Sequence, residues 1–338
     1  MTRWYMLSGK ENDVAISSRV SLARNLRGYA FTNRLTSEEK EAIAEKVRTA
    51  IDAELPGKFI ATRMGDLSRD AAISLAERSL VSPEFVSFAE GRNFLMTPDE
   101  SLSVMLCEED HVKIQAILPG LELEKTYELS DTLDTILDEA LGFSFDPKLG
   151  YLTQCPTNIG TAMRASVLLQ MPAMHILGRI KHVSNTVSRL GLILTGAYGE
   201  GDSPAGSLYI LANQVTLGIS EDAALQNLSS LALSIIEQER ESRKELMGNL
   251  QFQDMLWRSY GTLKTARVLN FREFMEALSV VKIGIAAGEF DLSMNTVNEA
   301  IFAMQPATLN AEAGETLPRQ ERDALRAEKV RALFADQS

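Results

Sequence analysis

The spacing of apolar residues predicts strands and helices mixed along the chain. Short apolar runs and apolar–polar alternation predict strands at residues 14–22, 104–109, 190–194 and 208–212. Apolar residues three or four apart predict amphipathic helices at residues 36–55, 131–141, 220–246 and 319–334. On strict alternation, Met105, Cys107 and Glu109 would share one face of their strand, which would place the Glu109 carboxylate beside apolar groups.

The order of these elements predicts the fold class. Strand patterns fade beyond about residue 246, and helical patterns dominate from there to the end of the chain. Strands and helices do not alternate regularly before that point, so an α+β fold with an antiparallel sheet flanked by helices is expected. We expect two domains, at residues 13–245 and 246–338, the second helical and suited to regulation or dimerisation.

Composition narrows the class of protein. The 338 residues are 45% hydrophobic and 24% charged, as in an ordinary globular protein. A net charge of -12 argues against nucleic acid or an anionic membrane as the main partner and is compatible with a cationic substrate. Two cysteines are too few for a disulfide framework, and neither a signal peptide nor a membrane span is evident, so a cytoplasmic location is expected.

The segment at residues 150–166 carries the most specific chemistry. Thr157 and Asn158 are good helix caps, so residues 163–169 are expected to form a helix. Cys155 would then lie near the positive end of a helix dipole, which favours a thiolate or a bound anion, and Arg164 would add a fixed cation. Taken alone, the segment is equally compatible with a buried structural cysteine.

Common catalytic signatures are missing. The chain contains no Walker A loop, no GxGxxG opening a helix and no kinase-type glycine-rich loop, and the turn at residues 199–201 is a weak match to any of them. His111 follows Asp110, but no nucleophile elbow accompanies the pair, which disfavours a serine hydrolase. Three histidines and two cysteines also disfavour a structural zinc site, and no metal-ligating residues are assigned.

Several ordered blocks resemble the phosphagen (guanidino) kinases. They lie at residues 17–20 (SSRV), 107–111 (CEEDH), 150–166 (GYLTQCPTNIGTAMRAS), 199–201 (GEG) and 213–214 (NQ). The helical C-terminal part and an R-D-x-x-R-A motif at residues 322–327 make the chain more similar to the bacterial protein-arginine kinases. The resemblance extends over about residues 13–333.

The resemblance implies transfer of the γ-phosphoryl group of MgATP to the guanidinium of arginine side chains in proteins. A guanidinium is protonated at physiological pH and is a poor nucleophile, so a carboxylate must orient it and accept a proton. The resemblance assigns this role to Glu109 and Glu200, with Cys155 as a thiolate beside them. It places ATP at Ser17, Ser18, Arg19, Val20, Ser21, Lys113, Arg164, Ala165, Ser166, Val167, Leu168, Thr195, Gly196 and Gly199.

The same resemblance implies further partners. Arg322, Asp323 and Arg326 would bind phosphoarginine, although i,i+4 pairing on a solvated helix face is the plain alternative. Mg²⁺ would be held largely by phosphates and water. An activator protein, proteolytic or stress-response machinery and a homodimer are also expected.

The chain departs from the family pattern in its phosphate-binding cations. Ser21 and Thr195 stand where the pattern has arginine, Lys113 replaces a third arginine, and Ser79 stands in place of a histidine. Loss of two charge-assisted contacts would cost roughly 10²–10⁴ in nucleotide affinity or rate, unless Arg24, Arg27 or Arg179 compensates. Two hypotheses therefore stay open: an active protein-arginine kinase, and a catalytically impaired pseudokinase that binds phosphoarginine or a partner.

Overall fold

The chain folds around one long antiparallel sheet. The computed structural model describes residues 2–87, 91–197 and 204–335. Eight strands form the sheet in the order β2-β3-β4-β5-β1-β8-β10-β9, and β6 and β7 form a separate small hairpin. The strands are β1 (Ala15–Arg24), β2 (Ile60–Arg63), β3 (Asn93–Met96), β4 (Leu102–Leu106), β5 (Val112–Pro119), β6 (Phe145–Asp146), β7 (Gly150–Tyr151), β8 (Met163–Gln170), β9 (Leu192–Gly196) and β10 (Leu208–Asn213).

Helices cover the sheet and form the whole C-terminal part of the described chain. They are α1 (Ser37–Glu54), α2 (Arg69–Glu77), α3 (Pro83–Ser87), α4 (Leu123–Leu141), α5 (Pro172–Ile176), α6 (Ile180–Ser188), α7 (Glu221–Met247), α8 (Leu250–Thr265), α9 (Phe271–Ala286), α10 (Met294–Ala303), α11 (Pro306–Ala313) and α12 (Arg319–Leu333). None of the described helices is both long enough and apolar enough to cross a membrane.

The two faces of the sheet pack against different layers. Val20 and Leu22 of β1 point into a core shared with α1, α4 and α7. On the opposite face, Ile117 of β5 and Leu168 of β8 join a second core with the C-terminal helices α8, α9 and α10. Because side chains alternate along a strand, the intervening residues of β1 face this second side and leave a cleft beside the C-terminal helices.

The predicted α+β class with an antiparallel sheet is confirmed, as are most of the individual elements. Helix α1 begins where the sequence predicts, because Thr36 Oγ1 accepts a hydrogen bond from Glu39 N and Glu39 Oε2 accepts one from Thr36 N. The long helix α7 and the terminal helix α12 also agree with the apolar spacing.

The helix predicted at residues 163–169 is wrong, since these residues form strand β8 at the centre of the sheet. A short apolar run buried on both faces has no periodicity that separates strand from helix. Asn158 lies in a three-residue 3₁₀ turn, Pro156–Asn158, and does not cap an α-helix. The chain instead reverses at Gly160, whose φ of 116° and contact with the carbonyl of Thr216 leave no room for a Cβ.

Two further details of the sequence prediction are wrong. Strand β4 ends at Leu106 and Cys107 has φ 56°, so Met105 and Cys107 pack in different cores and Glu109 lies in the turn that follows. Helix α4 begins at Leu123, well before the predicted start at residue 131. In both cases tertiary packing sets a boundary that the apolar pattern leaves open.

Candidate active site

A cleft of about 670 Å³ lies on the face of the sheet that β1, β5 and β8 present to the C-terminal helices. The strand register orders its floor: Ser17 lies opposite Leu168, Arg19 opposite Ile117 and Ser166, and Ala23 opposite Lys113. The floor therefore runs from an apolar end at Leu168 to a charged end at Lys113.

Six of the ten ATP-binding residues expected in β1 and β8 line this cleft. The side chains on the cleft side are Ser17, Arg19, Ser21, Arg164, Ser166 and Leu168, and Lys113 of β5 joins them. The side chains of Ser18, Val20, Ala165 and Val167 lie on the other face, buried in the sheet. Their side chains therefore do not line the cleft, because the two-residue period of a strand separates neighbours onto opposite faces. Their assignment to the ATP site stays a prediction.

Strand β9 is the edge strand of the sheet. Thr195 pairs with Ile210, which lines the cleft, so Thr195 lies on the cleft face one strand further out, with Gly196 next to it. Gly199 and Glu200 lie outside the described residues.

Asn158 holds the guanidinium of Arg164 at the charged end of the cleft. Its Oδ1 accepts hydrogen bonds from Arg164 Nε (3.1 Å) and Nη2 (2.8 Å). Arg164 Nη1 donates to the carbonyl oxygens of Asn213 (3.0 Å) and Gln214 (3.1 Å). Four hydrogen bonds thus fix the orientation of this cation before any ligand binds.

Glu109 lies next to the same amide. Asn158 Nδ2 donates to Glu109 Oε2 (3.3 Å), so one side chain contacts both the carboxylate and the cation. Burial, and then the negative charge of Asp110, raises the pKa of Glu109 above its ordinary value. A carboxylate in this environment is a stronger base than an exposed one.

Cys155 lies at the start of the 3₁₀ turn, and its Sγ is 3.1 Å from Thr157 Oγ1. It also hydrogen-bonds Glu109, which lowers the pKa of that carboxyl and partly offsets the effect of burial. The expected α-helix dipole is absent here, because the turn has only three residues before the chain continues to β8. Cys155 is partly exposed, whereas Cys107 is buried and burial raises its thiol pKa to about 11.

Asp110 and His111 hold the turn that presents Glu109. Asp110 Oδ1 accepts from Asn25 Nδ2 (2.6 Å) and from Gln154 N (2.8 Å), which ties this turn to the Cys155 loop. His111 Nδ1 accepts from the backbone N–H of residue 26 (3.0 Å), while Nε2 lies 2.7 Å from the carbonyl oxygen of residue 30. With both ring nitrogens used by the backbone, His111 is structural and cannot act as the base of a hydrolase triad.

The remaining cations expected near the cleft fall into two groups. Lys113 lies in the cleft, where its Nζ donates to Glu108 Oε2 (2.9 Å). Arg24 points to the other face of the sheet and pairs with Asp134. The remaining two pair elsewhere: Arg27 Nε donates to the Phe143 carbonyl oxygen, and Arg179 contacts Ser242 and Glu245. Arg24, Arg27 and Arg179 therefore do not replace the missing phosphate-binding arginines.

The Arg322–Arg326 segment on α12 differs from the expected pair of projecting arginines. Arg326 is 0% exposed and donates to the carbonyl oxygens of Met304 and Leu269 and to Asp323 Oδ1 (2.6 Å). Arg322 is only partly buried, and its buried Nε has no hydrogen-bond partner among the described residues. The two side chains therefore occupy different environments, since four-residue spacing fixes direction and not burial.

Two cleft residues were missed by sequence reasoning. Asn158 was interpreted as a helix cap, and Gln305 was not considered, although its buried amide lines the cleft. The sequence offered a signal for Asn158, because its polar side chain lies between Cys155 and Arg164 in the segment at residues 150–166 that resembles the guanidino kinases. Gln305 carried none, since it lies just before helix α11, far along the chain from the strands of the cleft.

Comparison with solved structures defines the class of fold. The duplicated taurocyamine kinase from Schistosoma mansoni, with bound transition state analog components, matches with a TM-score of 0.60 and 26% identity, covering 69% of this chain and 34% of that one. Lombricine kinase matches with a TM-score of 0.59 and 21% identity, covering 69% of this chain and 68% of that one. The chain thus has the fold of the guanidino kinases.

Sequence comparison defines the family. Residues 40–242 match the ATP:guanido phosphotransferase C-terminal catalytic domain, and residues 249–338 match the protein-arginine kinase McsB C-terminal domain. A protein-arginine kinase from Desulforamulus reducens is 39% identical over 98% of this chain and 94% of its own length. One from Caldanaerobacter subterraneus is 37% identical over 95% and 96%. The chain belongs to the protein-arginine kinase family.

Proposed function

We propose that this protein is an ATP-dependent kinase that phosphorylates arginine side chains of proteins. The observation that carries the proposal is the joint placement of Glu109 and Arg164 by Asn158 at the charged end of the cleft. A carboxylate that accepts a proton and a cation that holds a phosphate are the two groups that phosphoryl transfer to a guanidinium requires. Relatives described as protein-arginine kinases over nearly the full length support the same activity.

The reaction follows from the positions of these groups. A guanidinium nitrogen of the substrate attacks the γ-phosphorus of ATP, a P–N bond forms, and the bond from phosphorus to the β-phosphate bridging oxygen breaks. Glu109 accepts the proton that the nitrogen loses, and its raised pKa suits it to this role. We propose that Glu200 supplies the second carboxylate that grips the guanidinium and that the Cys155 thiolate contacts its other side.

The nucleotide site in this proposal comprises the cations of the cleft floor. Arg19, Lys113 and Arg164 would bind the phosphates, since phosphoryl transfer depends on alignment and on neutralised charge. Mg²⁺ would arrive with the triphosphate, because the described residues include no group of three or more acidic, histidine or cysteine side chains arranged to hold a metal.

The test is direct detection of the product. Purified protein, MgATP and a protein substrate should give phosphoarginine by mass spectrometry without acid treatment, and Glu109→Gln should abolish it. Glu124→Gln, an exposed carboxylate on α4 outside the cleft, is the matched control and should retain activity. Absence of phosphoarginine under conditions where a family member is active would overturn the proposal.

The pseudokinase alternative is not supported by the comparisons. Curated relatives matched over nearly their full length are described as protein-arginine kinases, and the chain retains Glu109 and Cys155. The replaced arginines at Ser21 and Thr195 bear on the strength of nucleotide binding and not on the class of reaction.

We also propose that the C-terminal part, residues 246–338, is a domain that binds phosphoarginine. The matched family models meet near this boundary, which supports the division. Arg322 would contact the phosphoryl group, and Arg326 would act indirectly by fixing Asp323. In Glu109→Gln protein, titration with a phosphoarginine ligand should show weaker binding for Arg322→Ala and Asp323→Ala. Equal binding by all three proteins would refute the proposal.

The remaining partners are proposals from the family resemblance. Protein substrates would bind through their arginine side chains. An activator protein, proteolytic or stress-response machinery, a homodimer and a cytoplasmic location complete the proposed setting.

A further inference from the structure

One buried side-chain amide at the cleft has a nitrogen without a hydrogen-bond partner in the described part of the chain. Gln305 precedes helix α11, is 2% exposed and lines the cleft. Its Nε2 donates to no acceptor among the described residues. Buried polar groups in native proteins are almost always hydrogen-bonded, so an unpartnered donor in a residue that lines a cleft calls for a ligand acceptor.

The end of the cleft near Gln305 is apolar. Met304, its chain neighbour, belongs to the same apolar cluster as Ile117 and Leu168 on the cleft floor, and Ile210 packs against that cluster. All three floor residues line the cleft. A flat aromatic group fits this surface, and the Gln305 amide supplies a polar contact at its edge.

The length of the floor separates this end from the reacting groups. Ser17 to Ala23 spans six residues of β1, roughly 20 Å at about 3.3 Å per residue. Arg19 and Arg164 lie along this path, and Lys113 lies opposite Ala23. A nucleotide with its phosphates on these cations places its base toward the apolar end.

Helix α11 is held rigidly against the cleft wall. Glu77, at the end of α2, accepts hydrogen bonds from Ala307 N (2.9 Å), Thr308 N (2.7 Å) and Thr308 Oγ1 (2.9 Å). Ser74 Oγ lies 3.1 Å from the same threonine hydroxyl. These contacts fix the backbone from which the Gln305 side chain extends.

We infer that Gln305 donates a hydrogen bond to the base of the bound nucleotide, so that the C-terminal helical part completes the nucleotide site and sets its preference for adenine. The inference rests on the proposed function, since it assumes that the cleft binds ATP. An amide offers a donor and an acceptor side by side, which matches the amino group and N7 of adenine. Guanine presents two acceptors at the same edge, and one of them would face the amide oxygen.

The test measures binding with and without a base. Calorimetric titrations of the full chain compare MgATP, MgGTP and inorganic tripolyphosphate, which has no base. Gln305→Leu should weaken ATP binding about tenfold, the effect of one lost hydrogen bond, and should reduce the preference for ATP over GTP. Tripolyphosphate affinity should not change. Gln305→Glu, which keeps the side-chain shape but replaces the donor with a charged acceptor, should weaken ATP binding at least as much.

The binding results distinguish the role of Gln305 from the proposed kinase function. Equal weakening of ATP and tripolyphosphate would show a structural role, and unchanged ATP affinity in both variants would show no role; either result overturns the inference alone. If the unmodified protein binds no nucleotide, the proposed function and the inference both fail. If the Gln305 variants lose ATP affinity but keep tripolyphosphate affinity, and the unmodified protein forms no phosphoarginine, the inference is supported and the proposed function is overturned.

Discussion

Replacement of Asn158 by alanine tests whether the cleft holds its cation in place before the substrate binds. The amide oxygen accepts two of the four hydrogen bonds that orient Arg164, at 3.1 and 2.8 Å. The other two go to backbone carbonyls of Asn213 and Gln214. Without Asn158 the guanidinium keeps its attachment to the backbone but gains rotational freedom, and water takes part of the lost contact.

The size of the effect follows from these bonds. A hydrogen bond to a charged group contributes about 1.5–3 kcal/mol, and water recovers part of the two that are lost. We expect a net loss of about 2–3 kcal/mol in transition-state stabilisation, which corresponds to a roughly 30- to 140-fold lower kcat/KM at about 1.4 kcal/mol per tenfold. Because Arg164 contacts the transferring phosphate in this mechanism, most of the loss should appear in kcat.

Asn158→Asp separates the two contacts of the amide. The aspartate keeps an acceptor for Arg164 but loses the donor to Glu109 and adds a negative charge, which raises the pKa of Glu109 further. The rate deficit of this variant should therefore shrink as pH rises, whereas the alanine deficit should persist.

Steady-state phosphorylation of a protein substrate at several pH values provides the measurement. Arg164→Ala gives the reference for complete loss of the cation. Full activity of Asn158→Ala beside a strongly impaired Arg164→Ala would refute the claim that the amide orients the guanidinium.

Three further predictions address the base, the fold and the nucleotide. Burial and a neighbouring carboxylate raise the pKa of Glu109 above its ordinary value, so kcat/KM should fall as pH drops through that raised pKa; a profile that stays flat through the ordinary titration range of a glutamate would contradict this assignment. Arg24→Met leaves Asp134 buried without its partner and should lower the free energy of unfolding in urea by about 3–5 kcal/mol. Adding Asp134→Leu should restore much of that stability. Additive losses from the two substitutions would argue against the pair. The double variant Ser21→Arg, Thr195→Arg should bind ATP at least tenfold more tightly by calorimetry. Micromolar affinity in the unmodified protein, with no gain in the double variant, would contradict this prediction.

Elements whose signals are local could be predicted from the sequence alone. Helix α1 was predictable because the capping pair Thr36 and Glu39 precedes a regular apolar stripe, and both act within one turn. Strand β1 was predictable from alternation. The candidate carboxylate Glu109 came from resemblance to a family, and its role as base stays a prediction.

Tertiary structure decided which side chains meet. A short apolar run at residues 163–169 becomes a strand only because β1 and β10 pair with it on both sides. Arg326 is buried because carbonyl oxygens of distant segments receive its donors, which its position on a charged helix does not reveal.

The cleft itself depends on contacts across long stretches of chain. Asn158 lies 49 residues after Glu109 and 6 residues before Arg164, and its side chain contacts both. Glu77 brings α11 and therefore Gln305 to the cleft across 230 positions. Local propensity carries no information about such pairs, because their energy depends on burial and geometry that exist only after the sheet and the C-terminal helices have packed.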